Sequence, residues 1–290
     1  NNMSAFFEKS IGGGLIELPE DDRDFSFGSV FGSIALGDIP NTDFFVSEPL
    51  GIKDQGDSDL CSAYALCAVS EDQENVSLVP EYTFAKTKQI AGDWKPWGAD
   101  LRSACKSATE FGFLDYSHVG DDVSVFLKTG RDTVANWENW APYLDTKAEL
   151  HKKQSYFAVD GPNDIFDNFR AVLWANKEEK RSILTGALWK LEWTSAKKGV
   201  IPKNAKIDRY GHAFKIYGQK VINGELHLVA QLSNGKNIGD EGIFYFPRSV
   251  VNKEFSYGAY TFKDIDPDII KRLNKKLSWK EKFFNWFNWF

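Results

Sequence analysis

Cysteine is scarce: Cys61, Cys67 and Cys105 are the only three in 290 residues, and an odd count allows at most one internal bridge. That excludes a disulfide scaffold and suits a reducing compartment. No run approaches the roughly eighteen apolar residues of a membrane-spanning helix, and the start lacks the basic, apolar and small-residue order of a secretory signal. Basic excess is missing too. Lys and Arg number 35 against 41 Asp and Glu, a net charge of −6. Residues 271–290 carry Lys271, Arg272, Lys275, Lys276, Lys280 and Lys282 against Glu281 alone, so that stretch is +5 and the rest −11. Such an acidic body has no stripe to neutralise phosphates, which excludes nucleic acid as its main partner. What is present is apolar content of 42% and aromatic content of 15%, which excludes disorder and leaves one large domain or two lobes. The expected location is the cytoplasm or an intracellular or viral assembly. Met3 follows Asn1 and Asn2, so residue 1 is not read as the translational start and a removed signal, propeptide or larger precursor stays open.

Three divisions follow from texture. Residues 1–50 form an irregular lead-in that must lie on the body: Gly12-Gly13-Gly14, the polar run Glu20-Asp21-Asp22-Arg23-Asp24, then Pro40 and Pro49. In the body, 51–262, helices are expected over 62–71, 80–90 and 99–111, the first because Ala63, Ala65, Leu66, Ala68 and Val69 sit among good helix formers without Gly or Pro, the last closed by Gly112. From 183 on, apolar runs at 183–191, 213–217, 226–232 and 243–246 are broken by turn signals, and Asn223-Gly224 predicts a two-residue hairpin. Residues 121–140 and 153–166 read as insertions or loops. The fold class is α+β, a helical lobe followed by an antiparallel β lobe. In the tail, 263–290, Trp279, Phe283, Trp286, Phe287 and Phe290 share one helical stripe. It would pack on the body, dock in a partner protein's groove, or lie on a membrane surface, the last least favoured because Phe284 and Trp289 make its end apolar all round.

Cys61 falls at the start of the first helix, where unpaired N–H groups and the helix dipole favour thiolate; a lone cysteine is also commonly a small buried hydrophobe. The surrounding string Asp54-Gln55-Gly56-Asp57-Ser58-Asp59-Leu60-Cys61-Ser62-Ala63-Tyr64-Ala65 resembles the nucleophile segment of papain-like cysteine proteases. Upstream, Asp22-Arg23-Asp24-Phe25 is similar to the short lead of bacterial and archaeal members. Downstream, Val79-Pro80-Glu81-Tyr82, then Gly98-Ala99-Asp100-Leu101, Gly211-His212-Ala213-Phe214 and Gly239-Asp240-Glu241-Gly242-Ile243-Phe244-Tyr245 match further family segments in order. The resemblance covers about residues 20 to 252 and implies a two-lobed papain-like fold, with 51–262 as the peptidase domain. It implies Cys61 as nucleophile, His212 as general base, Gln55 as oxyanion donor, and Gly98 and Gly211 along the cleft for a peptide or protein substrate. It implies no cofactor. His118, His151 and His227 read as ordinary loop or strand residues, and no His or Cys spacing predicts a metal site.

The sequence departs from the family where an Asn should orient the imidazole. An ungapped match puts Leu232 there and Asn234 at the following Trp, so either Asn234 enters through a two-residue shift, Gln231 substitutes, or His212 stands unsupported. Ser58 replaces the family's disulfide cysteine, and Asp57 and Asp59 should raise the Cys61 pKa by opposing the thiolate. The expected activity is thiol-dependent peptide-bond hydrolysis at reduced turnover. The competing reading is a catalytically degenerate fold docked in a larger assembly by its tail, and a third is acyl transfer on a non-peptide substrate.

Overall fold

The computed structural model describes residues 13–17, 26–28, 35–92, 98–119 and 142–264. The 121–140 segment, the tail stripe from Trp279 to Phe290 and Asp22-Arg23-Asp24-Phe25 lie outside the described residues. In chain order the elements are β1 (Phe44–Phe45), α1 (Cys61–Glu74), α2 (Pro80–Ala91), α3 (Leu101–Glu110), α4 (Pro142–Ala148), β2 (Lys153–Ala158), α5 (Ile165–Ala175) and β3 (Ile183–Lys190). They continue with α6 (Leu191–Thr194), β4 (Asp208–Ile222), β5 (Glu225–Gln231), β6 (Ile243–Pro247), α7 (Arg248–Glu254) and β7 (Ala259–Asp264). No helix among the described residues is long and apolar enough to cross a membrane.

The three expected helices form at their expected places because their ends are chemically marked. α1 stops at Asn75, whose left-handed backbone (φ +56°) turns its N–H onto the Glu71 carbonyl. α2 begins on Pro80, which has no N–H to waste in a first turn. In α3, Asp100 accepts from the Ser103 N–H at 2.7 Å. α1 is buried almost all round, its Ala, Ser and Cys residues letting neighbours approach closely, so it is a central helix.

The sheet runs β2-β7-β3-β4-β5-β6, every pair antiparallel, and β1 joins β4 at Gly218 and Gln219, beyond the first residue of β3. Asn223 and Gly224 take φ of +51° and +79°, closing the β4–β5 hairpin as a two-residue turn. Alternation along the strands splits the core. Ile183, Trp189 and Phe214 face an aromatic cluster with Phe244, Phe246 and Phe255, in which Phe214 and Phe246 stack at 5.3 Å. Leu184 and Ala213 face α1 and α3, against Cys61, Leu66, Val69 and Ala104.

Residues 153–166, expected as a loop, contain β2 and the start of α5. β2 hides from a hydrophobicity pattern because it is an outer strand whose Lys153, with no exposed side-chain surface, is held by Glu74 (2.6 Å) and Asp264 (3.2 Å). Both outer strands meet outlying segments: Ser26 bridges Ala158 of β2, and Val200 bridges Tyr245 of β6.

A buried ion pair fixes α1 on β4. The Lys215 ammonium reaches both Asp72 carboxylate oxygens (2.7 and 2.9 Å), and Asp72 also accepts from Ser47 and Ser182 hydroxyls. α1 carries Cys61 and β4 carries His212, so this pair sets the relation between the two.

Candidate active site

Cys61 is the first residue of α1, and its N-terminal flank Leu60 supplies no side-chain cap. The thiol is fully buried against β4, accepting from the backbone N–H of Ala213, the residue after His212. His212 lies opposite Ala187 of β3 and is itself buried. Its Nε2 is 3.0 Å from the Asn234 Oδ1. Asn234, and not Leu232 or Gln231, is thus the side chain that meets this ring nitrogen. Leu232 belongs to the hydrophobic core and its N–H bonds to the Gly242 carbonyl, while Gln231 donates its amide to Gly51, away from His212.

Two loops carry the polar groups, and the main chain joins them. The Gly235 N–H bonds to the Lys53 carbonyl (3.0 Å) and the Gln55 N–H to the Ser233 carbonyl (2.7 Å), an antiparallel bridge of Asp54 on Asn234. The Gln55 side chain is held at both ends: Oε1 accepts from the Ser233 hydroxyl at 2.5 Å and Nε2 donates to the Ser58 carbonyl at 2.7 Å. Ser58, at the family's disulfide position, thus works through hydrogen bonds to the Gln55 main chain and side chain.

The cleft between the lobes holds a segment of the chain itself. Leu15 donates to the Gly211 carbonyl at 3.0 Å and Ile16 to that of Ala99 at 3.2 Å, while the Ala99 N–H reaches Gly14 at 2.9 Å. Leu15 packs in the same cluster as Cys61. Approach is close enough to demand glycine: a Cβ on Gly98 (φ +93°) would lie 1.8 Å from the Gly14 carbonyl oxygen, and one on Gly13 2.4 Å from the Tyr210 ring. Gly98 and Gly211 therefore line an extended peptide, here residues 13–17.

Solved structures of the same architecture carry names. Crystalline xylellain, a cysteine protease from Xylella fastidiosa, is 19% identical with a TM-score of 0.70 over 89% of this chain and 98% of that one. Digestive procathepsin L 3 of Tenebrio molitor larval midgut is 12% identical with a TM-score of 0.62, over 90% of this chain and 78% of that one. Procathepsin B S9 from Trypanosoma congolense is 14% identical with a TM-score of 0.60, over 89% and 88%. The chain has the papain-like cysteine protease fold. No family model matches its sequence, and no curated protein does.

Within this papain-like cleft, burial pushes the Cys61 thiol up to about 12, against the pull of the Ala213 N–H. Asp59 adds to the rise; it is a smaller cause than burial, so the acidic loop is not the main obstacle to a thiolate. Three contributors were not legible in the sequence. Trp189, fully buried, stands edge-on to the His212 ring at 5.4 Å. Ser233 orients Gln55, and Leu15 belongs to the core cluster that contains Cys61. Only Ser233 had a signal, its place beside Asn234. The remaining histidines divide: His227 bonds to the Glu225 carbonyl and burial lowers its pKa, whereas His118 and His151 meet Asp115 on the far side of the helical lobe.

Proposed function

We propose that this chain is a thiol peptidase in a shut form, with residues 13–17 filling the cleft that would take an extended peptide substrate. The observation that carries the reading is the hydrogen bond from His212 Nε2 to Asn234 Oδ1, because it gives the base an orienting partner despite Leu232. That bond fixes the proton on Nε2 and makes Nδ1 the nitrogen that exchanges with the thiol. As Sγ of Cys61 attacks the scissile carbonyl carbon, its proton passes to His212 Nδ1. The developing oxyanion takes the Cys61 main-chain N–H and the Gln55 Nε2 amide, held in place by Ser233. Collapse of that intermediate breaks the C–N bond, the imidazolium protonates the leaving amine, and water hydrolyses the thioester.

The full burial of Cys61 favours a second reading, a catalytically silent scaffold. The two part on thiol reactivity. Alkylation with a peptidyl epoxide across pH 5 to 9, before and after limited proteolysis of the lead-in, separates them, with Cys61→Ala and His212→Ala as controls. Fast labelling of Cys61 at pH 6 that needs His212, together with cleavage of a fluorogenic peptide library, is the expected outcome. Labelling only above pH 8 with no peptide cleaved, even after the lead-in is cut, overturns the peptidase reading.

A further inference from the structure

We propose that Asp115, His118 and His151 form a zinc site at the far end of α1 from the thiol, with Glu74 as the carboxylate that orients His151. A carboxylate oxygen of Asp115 and ring nitrogens of the two histidines lie within 4.8 Å of one another. Ligands at zinc distance in a tetrahedron are about 3.3 Å apart, so rotamer adjustments of about 1 Å close the set. Two imidazoles and a carboxylate are donors of borderline softness, suited to zinc rather than to magnesium or calcium.

The surroundings are built for it. Asp115 begins the single turn Tyr116–His118, and one of its oxygens accepts from the Ser117 N–H at 2.8 Å, which fixes the carboxylate. The turn is anchored in turn, Tyr116 donating to the Ser77 carbonyl at 3.1 Å. His151 ends the turn Glu149–His151, and its Nδ1 pairs with Glu74 Oε2, so Nε2 is the nitrogen for the metal. A carboxylate on the second nitrogen of a ligating imidazole fixes the tautomer and makes it more basic. The nearby cation Lys153 is spent on Glu74 Oε1 and Asp264.

Cys61 and Glu74 are the first and last residues of a fourteen-residue helix, so the site stands about 20 Å from the thiol and takes no part in its chemistry. It would tie the α1 end, the turn after α3 and the approach to β2, and would close the chain between positions 118 and 151. The inference is independent of the peptidase reading.

The test uses the untagged full chain carrying Cys61→Ala, which removes the competing thiol and imidazole pair. Zinc titration by calorimetry should show one ion per chain, and cobalt should give the visible absorption of a tetrahedral site. At a hundredfold excess over Kd, zinc should raise Tm by about 5 °C or more. His118→Ala and His151→Ala should abolish the cobalt band and weaken zinc at least a hundredfold, Glu74→Gln by about ten- to a hundredfold. His227→Gln should change nothing. His118→Asn, a smaller polar change on a half-buried turn, serves if the alanine variants lose their far-UV circular dichroism. Zinc binding no tighter than millimolar, or equal binding by parent and His118→Asn, overturns the proposal.

Discussion

Asn234 and Leu232 show how much one position in a loop decides. Asn234→Ala removes the acceptor from His212 Nε2 and should lower kcat by less than the roughly 10²–10⁴-fold that loss of the base itself costs, with KM unchanged. Steady-state kinetics on the same peptide with His212→Ala alongside checks this. Leu232→Asn, which writes the family residue into the ungapped position, should not rescue that variant. Leu232 is only 2% exposed within the aromatic core, so the new amide is buried without a partner and should cost about 1–3 kcal/mol in a denaturant titration. Asn234 itself was in the sequence; its register against His212 was not, because loop length is set by where the main chain bridges Asp54, which no spacing rule reports.

At the scale of elements, α1 and β4 are joined by Lys215 on Asp72, buried and without solvent to relieve either charge. Burial lowers the Lys215 pKa, and the Asp72 carboxylate opposes that fall. Lys215→Met leaves Asp72 charged and unpaired and should cost about 3–5 kcal/mol by urea unfolding, while Lys215→Met with Asp72→Leu should recover most of the loss. The elements most legible in the sequence were those whose rules are local: α1 from an unbroken run of helix formers, the β4–β5 turn from Asn223-Gly224. β2 was missed because its buried Lys153 is satisfied by Glu74 and Asp264, contacts 79 and 111 positions away. The Asp115, His118 and His151 cluster was missed for the same reason, since each histidine alone is unremarkable and only the packing of α3 against β2 unites them.

For the whole molecule, burial of acidic hydrogens sets an alkaline limit. Cys61 has its pKa raised from 9.0 to about 12, and burial drives Cys67, Tyr64 and Tyr82 upward as well. These groups stay protonated in the fold but ionise in the unfolded chain, so the unfolded state binds fewer protons and stability falls as pH rises above about 9. Tm measured from pH 7 to 11 should decline over that window, and a flat profile would contradict the burial of these groups. The cleft sets a second limit. Gly14 takes φ +114°, and a Cβ there would lie 2.5 Å from the Asp59 carbonyl oxygen, so Gly14→Val should expel residues 13–17. Iodoacetamide should then reach Cys61 about tenfold faster or more at pH 7, read by mass spectrometry.

The bridges of Ser26 on β2 and Val200 on β6 have a consequence for association between molecules. An open sheet normally offers its outermost backbone groups as a template on which another chain can grow, the route to edge pairing and fibrils. Here each outer strand meets a segment of its own chain at one bridge among the described residues, while Gly14, Leu15 and Ile16 take backbone partners of their own at Gly211 and Ala99, so the fold already spends part of its exposed backbone on itself.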